Sequence, residues 1–275
     1  MTNFRHASDD LISVKTRLDK LLVERGFAPS RERAQALILA GKVLVNEQKI
    51  EKAGASIDSG SSLRLLGADL RYVSRGGLKL EKALEHWRID LQGKVCLDVG
   101  ASTGGFSDCM LQHGAARVIA VDTGYGQMDF GLRQDPRMRL LEKTNARYIE
   151  HGDLGEPIDF IAMDVSFISA TLVLPAVIRA VSFGGVATRD GIRQNARQIV
   201  VLVKPQFEAG RELVGKGGIV RDEAAQRAAV ARVAGALAEL GCAGAEWIES
   251  PILGGGGEGN REFLFYAEFS PLVSG

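Results

Sequence analysis

A short apolar strand running straight into a cluster of glycines constrains this chain more than any other feature. The segment is Val95-Cys-Leu-Asp98-Val-Gly100-Ala-Ser102-Thr103-Gly104-Gly105-Phe106-Ser107, and the pattern continues as a helix from Gly105 to His113. Strand, glycine loop and helix make the opening unit of an open α/β sheet, where ligands gather at the carboxyl ends of the strands. Glycine allows the tight turns and close backbone approach that such a loop needs. The spacing Gly100-x-x-x-Gly104-Gly105 departs from the G-x-G-x-x-G of dinucleotide folds. Asp98 would also repel a pyrophosphate. A carboxylate there favours a cationic or amino-bearing ligand, such as the methionine part of S-adenosylmethionine. The next strand, Val118-Ile-Ala-Val-Asp122, ends in an acid that can accept hydrogen bonds from both ribose hydroxyls. Its offset of roughly 20 residues from the loop suits that role. The alternative is a plain turn at Gly100 and Gly104.

Around this unit, strands and helices alternate, which predicts an α/β class fold with a Rossmann-like sheet. Candidate strands are 95–99, 117–121, 160–163, 199–203, 245–250 and 262–269, and candidate helices 78–87, 105–113, 172–180 and 222–240. The polar segment Ser182–Gln198 and the run Gly254–Gly257 are predicted to lie on the surface.

The first 66 residues read differently, as a small α+β unit. Thr16-x-x-Asp19 has the form of a capping box opening a helix with Leu18, Leu21 and Leu22 on its apolar stripe, ended by Gly26. Ser30 is placed to cap a second helix carrying Ala34, Leu37 and Ile38, which Gly41 stops. A strand at 42–46 and a turn at 46–49 follow. The predicted organisation is a loose tail over 1–14, the small domain over 15–66, a linker over 67–74 and the α/β domain over 75–270.

Composition narrows the function. Thirty-four basic and 34 acidic side chains give a formal net charge of zero, so nucleic acid would have to be held by locally clustered charge. Arg17, Lys20, Arg31, Arg33 and Lys42 form such a cluster, which a solvated surface could equally carry. Three scattered cysteines (Cys96, Cys109 and Cys242) and four dispersed histidines show no metal-ligand spacing or disulfide framework, so no metal is expected. No stretch reaches the roughly 18 apolar residues of a membrane span, and no signal-peptide core is present, so a cytoplasmic protein is expected, with no membrane and no obligate protein partner.

Three polar residues fall at strand ends: Asp164 after Ile161-Ala-Met, Lys204 after Ile199–Val203, and Glu262 before the last strand. Lys79 can approach the same face from its helix. Any one of these could be a surface charge. Lys204 directly follows an apolar strand, however, and burial beside a second lysine would favour the neutral amine that a proton acceptor needs. Asn145 is placed either to touch an adenine or ribose or to make an ordinary turn.

Long motifs carry a family resemblance. Arg17-Leu-Asp-Lys-Leu-Leu, Ser30-Arg-Glu-Arg-Ala-Gln-Ala-Leu-Ile and Gly41-Lys-Val-Leu-Val-Asn resemble the S4 RNA-binding domain. Tyr72-Val-Ser-Arg-Gly-Gly-x-Lys79, the loop from Asp98 to Phe106, Val121-Asp-x-Gly-Tyr-Gly-Gln127, Asp164-Val-Ser-Phe-Ile-Ser169, Val203-Lys-Pro-Gln-Phe-Glu208 and Gly217-Gly-x-Val220 resemble the TlyA family. That family joins an S4 domain to an FtsJ-like ribose methyltransferase domain, and the likeness runs over about residues 15–269. It implies S-adenosylmethionine as cofactor, held by Asp98, Gly100, Ser102, Thr103, Gly104, Gly105, Phe106, Asp122 and Asn145. It implies a catalytic tetrad of Lys79, Asp164, Lys204 and Glu262, and 2′-O-methylation of cytidine in 16S or 23S ribosomal RNA, with ribosomal RNA or subunits as partner. Two other readings stand beside it: a non-catalytic RNA-binding or ribosome-assembly protein, and, from an older family label, a membrane-active haemolysin.

Overall fold

The computed structural model describes residues 15–25, 27–28, 30–66, 71–182, 187–188, 191–192, 196–254 and 259–270. The expected tail over 1–14, Gly26, and residues 67–70 of the expected linker lie outside them. The chain divides into two units between Leu70 and Arg71.

In the first unit, β1 (Lys15–Arg17) leads directly into α1 (Leu18–Glu24), and α2 (Arg31–Leu39) follows. Then come β2 (Val43–Val45), β3 (Gln48–Lys49), β4 (Ser56–Asp58) and β5 (Leu63–Leu65). Strand β1 pairs with β4, while β3, β2 and β5 form a three-stranded sheet. Leu18, Leu22, Ala34 and Ile38 from the helices pack with Val43 and Val45 in one core. Ser30 caps α2 by accepting the Arg33 N–H at 3.2 Å. Asn46 and Glu47 both have positive φ (49° and 63°), the twist that a two-residue hairpin loop requires.

The capping box expected at Thr16 does not form. Thr16 pairs with Ile57 in the β1–β4 ladder, and the N-cap position falls on Arg17, without a side-chain cap. Asp19 is instead drawn inward. Fully buried, it accepts from Arg17 Nε at 3.0 Å, Arg31 Nη2 at 3.1 Å and Gln35 Nε2 at 2.9 Å. One carboxylate thus ties α1 to α2, and these bonds hold its pKa well below the usual carboxylate range.

The second unit is a seven-stranded sheet between two helical layers. Its elements are α3 (Gly76–His86), β6 (Val95–Val99), α4 (Gly105–Gln112), β7 (Arg117–Val121), α5 (Phe130–Gln134), β8 (Met138–Leu141), α6 (His151–Leu154), β9 (Phe160–Met163) and α7 (Leu174–Ser182). A short hairpin of β10 (Ala187–Thr188) and β11 (Gly191–Ile192) precedes β12 (Arg197–Val203). Then follow α8 (Pro205–Glu208), α9 (Glu223–Glu239), β13 (Ala243–Glu249) and β14 (Phe263–Phe269). The strand order is β13-β14-β12-β9-β6-β7-β8. Five strands are parallel, and β14 enters antiparallel between β12 and β13. The order turns around between β6 and β9, the switch point at which open α/β sheets form their ligand crevice.

Alternation along each strand builds both cores. Leu97, Val99, Ile161, Met163, Val201 and Val203 face the layer holding α7 and α9. Cys96, Phe160, Ala162, Val200 and Leu202 face α3 and α4. Each fully buried aliphatic side chain contributes about 1.5–3 kcal/mol, so the sheet is fixed from both sides.

Two expectations are corrected here. The stretch expected as a linker over 67–74 belongs in part to the second unit, because Tyr72 is 1% exposed and the Val73 N–H donates to Asp108 at 2.8 Å. A Cβ on Gly77 would lie 2.3 Å from Tyr72 Cγ, so this glycine lets the tyrosine into the core. The segment Ser182–Gln198 is likewise shorter than expected: Ser182 is buried at the end of α7, and β12 begins at Arg197.

Asp19→Ala should loosen α1 from α2, lowering hydrogen-exchange protection of both helices in the full chain by roughly tenfold or more. Unchanged protection would mean that apolar packing alone joins them.

Candidate active site

At the carboxyl end of β6 the chain enters the glycine loop. The Gly100 and Ala101 N–H groups donate to Val121 O at 2.9 and 3.2 Å. Gly100 has φ +88°, and a Cβ there would stand 2.4 Å from Asp164 O. Gly104 (φ +95°) starts α4 from the left-handed region, which strains any residue but glycine. Gly105 serves a third purpose: a Cβ on it would meet Ser74 Oγ at 2.2 Å and Gly77 N at 3.0 Å. Bare glycines therefore bring the amino ends of α3 and α4 together, and α3 carries Lys79 to the loop.

Asp122 secures the other side. Its Oδ2 accepts the Ser102 N–H at 2.8 Å and its Oδ1 the Gly124 N–H at 2.6 Å. A cavity of about 550 Å³ opens here, lined by Gly100, Ser102, Asp122, Asn145, Asp164 and Phe167 among others. Asn145 lies on its wall and caps the next turn, accepting the Arg147 N–H at 3.0 Å. An adjoining cavity of about 240 Å³ is lined by Ser74, Lys79, Thr103, Gly105, Phe106 and Leu253, and shares Gly100, Ser102 and Asp164 with the first.

Asp98 departs from expectation. It is fully buried and lines neither cavity. Its Oδ2 accepts from Ser107 Oγ at 2.6 Å, and its Oδ1 has no hydrogen-bond partner. Burial, with a smaller push from Asp164, raises its pKa to about 7 against the pull of Ser107. The strand alternation that puts Val99 in one core turns Asp98 under the loop, so it supports the cradle from beneath. Gly104 also lines neither cavity, and Met128 and Leu132 occupy the space beside it.

The four polar residues picked out at strand and helix ends converge as two ion pairs. Lys204 Nζ lies 2.5 Å from Asp164 Oδ1 and donates to Ser166 Oγ at 2.7 Å. Lys79 Nζ donates to Glu262 Oε2 at 2.5 Å. Lys79, Lys204 and Glu262 are each at least nine-tenths buried. The register Val203↔Phe263 sets Lys204 and Glu262 at the same edge of neighbouring strands. Lys204 therefore has Asp164 and Ser166 as its polar contacts.

Several residues without a role assigned from sequence join the site. Ser166 touches Lys204. Asn260 accepts the Val220 N–H and donates to Gly218 O, both at 2.8 Å, anchoring the glycine turn beside the last strand. Gly254, expected on the surface, is buried against Glu262: a Cβ there would lie 2.2 Å from Glu262 Oε1. Residues 255–257 of that run lie outside the described residues. For Ser166 the signal available in sequence was a polar residue inside the apolar run Val165-Ser-Phe-Ile168.

The first unit carries the predicted RNA contacts on its own surface. Arg17 and Arg31 are half-exposed while bound to Asp19. Lys20 is exposed and paired with Glu24 at 3.5 Å. Arg33 and Lys42 are partly exposed.

Residues 72–269 match the FtsJ-like methyltransferase family and residues 16–62 the S4 domain family. The chain belongs to the TlyA family of FtsJ-like methyltransferases. A candidate rRNA methyltransferase of Bacillus subtilis, YqxC, is 47% identical over 260 residues, 93% of this chain and 86% of that one. The 16S/23S rRNA (cytidine-2′-O)-methyltransferase TlyA of Mycobacterium tuberculosis is 41% identical over 92% of this chain and 89% of its own. Among solved structures, a candidate hemolysin from Streptococcus thermophilus superposes with a TM-score of 0.67 at 43% identity, covering 93% of this chain and 88% of that one. S-adenosylmethionine is the cofactor of this methyltransferase. The site fits it: the paired cavities offer room for a nucleoside and an amino-acid tail, Gly100 and Ser102 of the glycine loop line both, and Asp122 stands on the wall of the larger one for ribose hydroxyls. Among the described residues no helix is long and apolar enough to cross a membrane.

Asp98 gives a pH test. An acid whose native pKa is raised binds its proton more tightly when folded. Stability therefore falls as pH rises from the unfolded carboxylate value, about 4, towards about 7. Asp98→Asn should gain on the parent across that window by up to about 1.4 kcal/mol per pH unit. Thermal unfolding from pH 4 to 8 measures the difference, and identical pH profiles would show that Asp98 ionises as an ordinary acid.

Proposed function

We propose that this enzyme methylates the ribose 2′-hydroxyl of a cytidine in ribosomal RNA, with Lys79, Asp164, Lys204 and Glu262 as its catalytic group. The single observation carrying the reading is that two lysine–carboxylate pairs, with three of the four side chains buried, each set one member, Lys79 and Asp164, on the wall of a glycine-loop cavity. The names and activities of the relatives support the substrate class, and cytidine rests on them alone.

The bound cofactor supplies an electrophilic methyl group on a sulfonium. The chain's residues do the rest. Gly100, Ser102, Thr103, Gly105 and Phe106 hold the cofactor, with Asp122 at its ribose and Asn145 beside it. Lys204, acting as the neutral amine after giving up one proton to solvent, takes the 2′-hydroxyl proton at Nζ as the oxygen attacks, and Asp164 Oδ1 and Ser166 Oγ hold the ammonium that this restores. Lys79, kept in place by Glu262, supports the negative charge growing on that oxygen. Much of the rate gain comes from fixing the two reactants in line. The S4 unit supplies affinity for folded RNA through phosphates and shape.

Tritiated methyl transfer to 30S subunits, 50S subunits, whole ribosomes and free ribosomal RNA tests this directly. Label should resist alkaline cleavage at the modified nucleotide, and Lys204→Ala should abolish it while leaving cofactor affinity within severalfold. Normal transfer by Lys204→Ala would sink the catalytic assignment. No label on any substrate, with cofactor binding intact, would leave an RNA-binding protein without this chemistry.

Arg33→Glu combined with Lys42→Glu should weaken RNA binding and flatten its salt dependence by roughly one to two in log–log slope. An unchanged slope would move the contact surface elsewhere.

A further inference from the structure

Beyond β9 and β12 the chain runs as two segments, Asp164–Ala170 and Lys204–Glu208, joined at three points. Lys204 holds the start of the first segment through Asp164 and Ser166. The rings of Phe167 and Phe207 meet midway, with centroids 5.5 Å apart. At the far end Glu208 accepts the Ser169 O–H at 2.5 Å and the Ala170 N–H at 2.7 Å.

Glu208 is only 2% exposed and lines neither cavity. Burial pushes its carboxyl up, while the bonds from Ser169 and Ala170 pull it back. A buried acid is weak evidence for stability, since an apolar residue of similar size often does as well. The segment it holds, in contrast, is under strain: Phe167 has φ +64° and is 92% exposed, an outlying conformation for a bulky side chain. Such backbone persists only where its surroundings over-determine it. Lys204 and Glu208 provide that restraint from both ends.

We propose that Glu208 is a positioning residue for methyl transfer, fixing the far end of Asp164–Ala170 so that Asp164 and Ser166 stay on Lys204 Nζ. This rests on the function proposed above, in which Lys204 takes the proton. Glu208 touches no reacting group and acts through Ser169 and Ala170. Misplacing a catalytic group by about 1 Å from a distance can cost on the order of 100-fold in rate.

The test compares Glu208→Ala, Glu208→Gln, Ser166→Ala and the Glu208→Ala/Ser166→Ala double variant in full-length enzyme. Measured quantities are kcat, KM for ribosomal RNA, cofactor Kd by calorimetry, and Tm. Glu208→Ala should lower kcat by about tenfold or more, with KM and Kd changed by less than about threefold. Glu208→Gln should retain most activity, because its amide keeps an acceptor for the Ala170 N–H and can donate to Ser169 Oγ. The double variant should be no slower than the slower single one, since both losses strike the same contact. A merely structural residue would lower Tm and the folded fraction, keep kcat per folded enzyme, and multiply with Ser166→Ala; that result overturns the inference. Should Glu208→Ala not fold, Ser169→Ala removes one of the two bonds and reads the same split. If the unaltered enzyme labels no RNA, the proposed function has failed; if it does and Glu208→Ala matches its kcat, the positioning role alone has failed.

Discussion

Where β6 and β9 end, their backbones meet so closely that no side chain fits between them. The Asp164 N–H donates to Val99 O at 2.9 Å, and a Cβ on Gly100 would press on Asp164 O at 2.4 Å. The glycine loop and the backbone of Asp164 therefore form one rigid object. Most of the site hangs from it. Gly105 then admits Ser74 and the amino end of α3, which delivers Lys79, and the parallel pairing of β12 with β9 delivers Lys204 beside Asp164. The antiparallel insertion of β14 brings Glu262 in from the opposite chain direction to the same edge. Four polar side chains scattered over 184 positions of sequence, from Lys79 to Glu262, are placed by sheet register rather than by local sequence.

The electrostatic design follows from that burial. Taking a lysine and a carboxylate out of water costs several kcal/mol per ion, which their attraction only partly offsets. Two such pairs at one site are thus a poor route to stability and a reasonable route to chemistry, where fixed charges in a dry pocket act strongly on a reacting atom. Asp98 extends the logic beneath the loop. With its pKa raised to about 7, it carries only part of a negative charge at neutral pH, under a cleft that already holds Asp122 and Asp164. A third full carboxylate charge there would repel both.

Much of this was legible in the sequence because it rests on apolar runs and glycine spacing. Strands β6, β7 and β9 have the predicted bounds, since 95–99, 117–121 and 160–163 are uninterrupted apolar runs apart from Asp98 and the leading Arg117. The parts that were not legible depend on partners distant in sequence. Thr16 looked like a cap because Asp19 lies three residues on, but Arg31 and Gln35 outcompete a local bond for that carboxylate. Glu208 closes a recognisable motif, yet its partners Ser169 and Ala170 lie 39 and 38 residues away. Gly254 reads as one of a surface glycine run until β14 places Glu262 against it. Tyr72 reads as linker until Gly77, five residues on, makes room for its ring.

The zero net charge of the chain bears on how RNA is held. Asp19 with Arg17 and Arg31 sums to one positive charge rather than two, so this cluster attracts phosphate less than composition suggests. In exchange, the two guanidinium groups are held in place by Asp19 while remaining half-exposed. A pre-placed guanidinium loses less freedom per bond formed and can face a phosphate with its planar fork. Lys42 carries no such geometry and Lys20 is already paired with Glu24. The RNA recognition proposed for the first unit thus rests on where its arginines are held more than on bulk attraction.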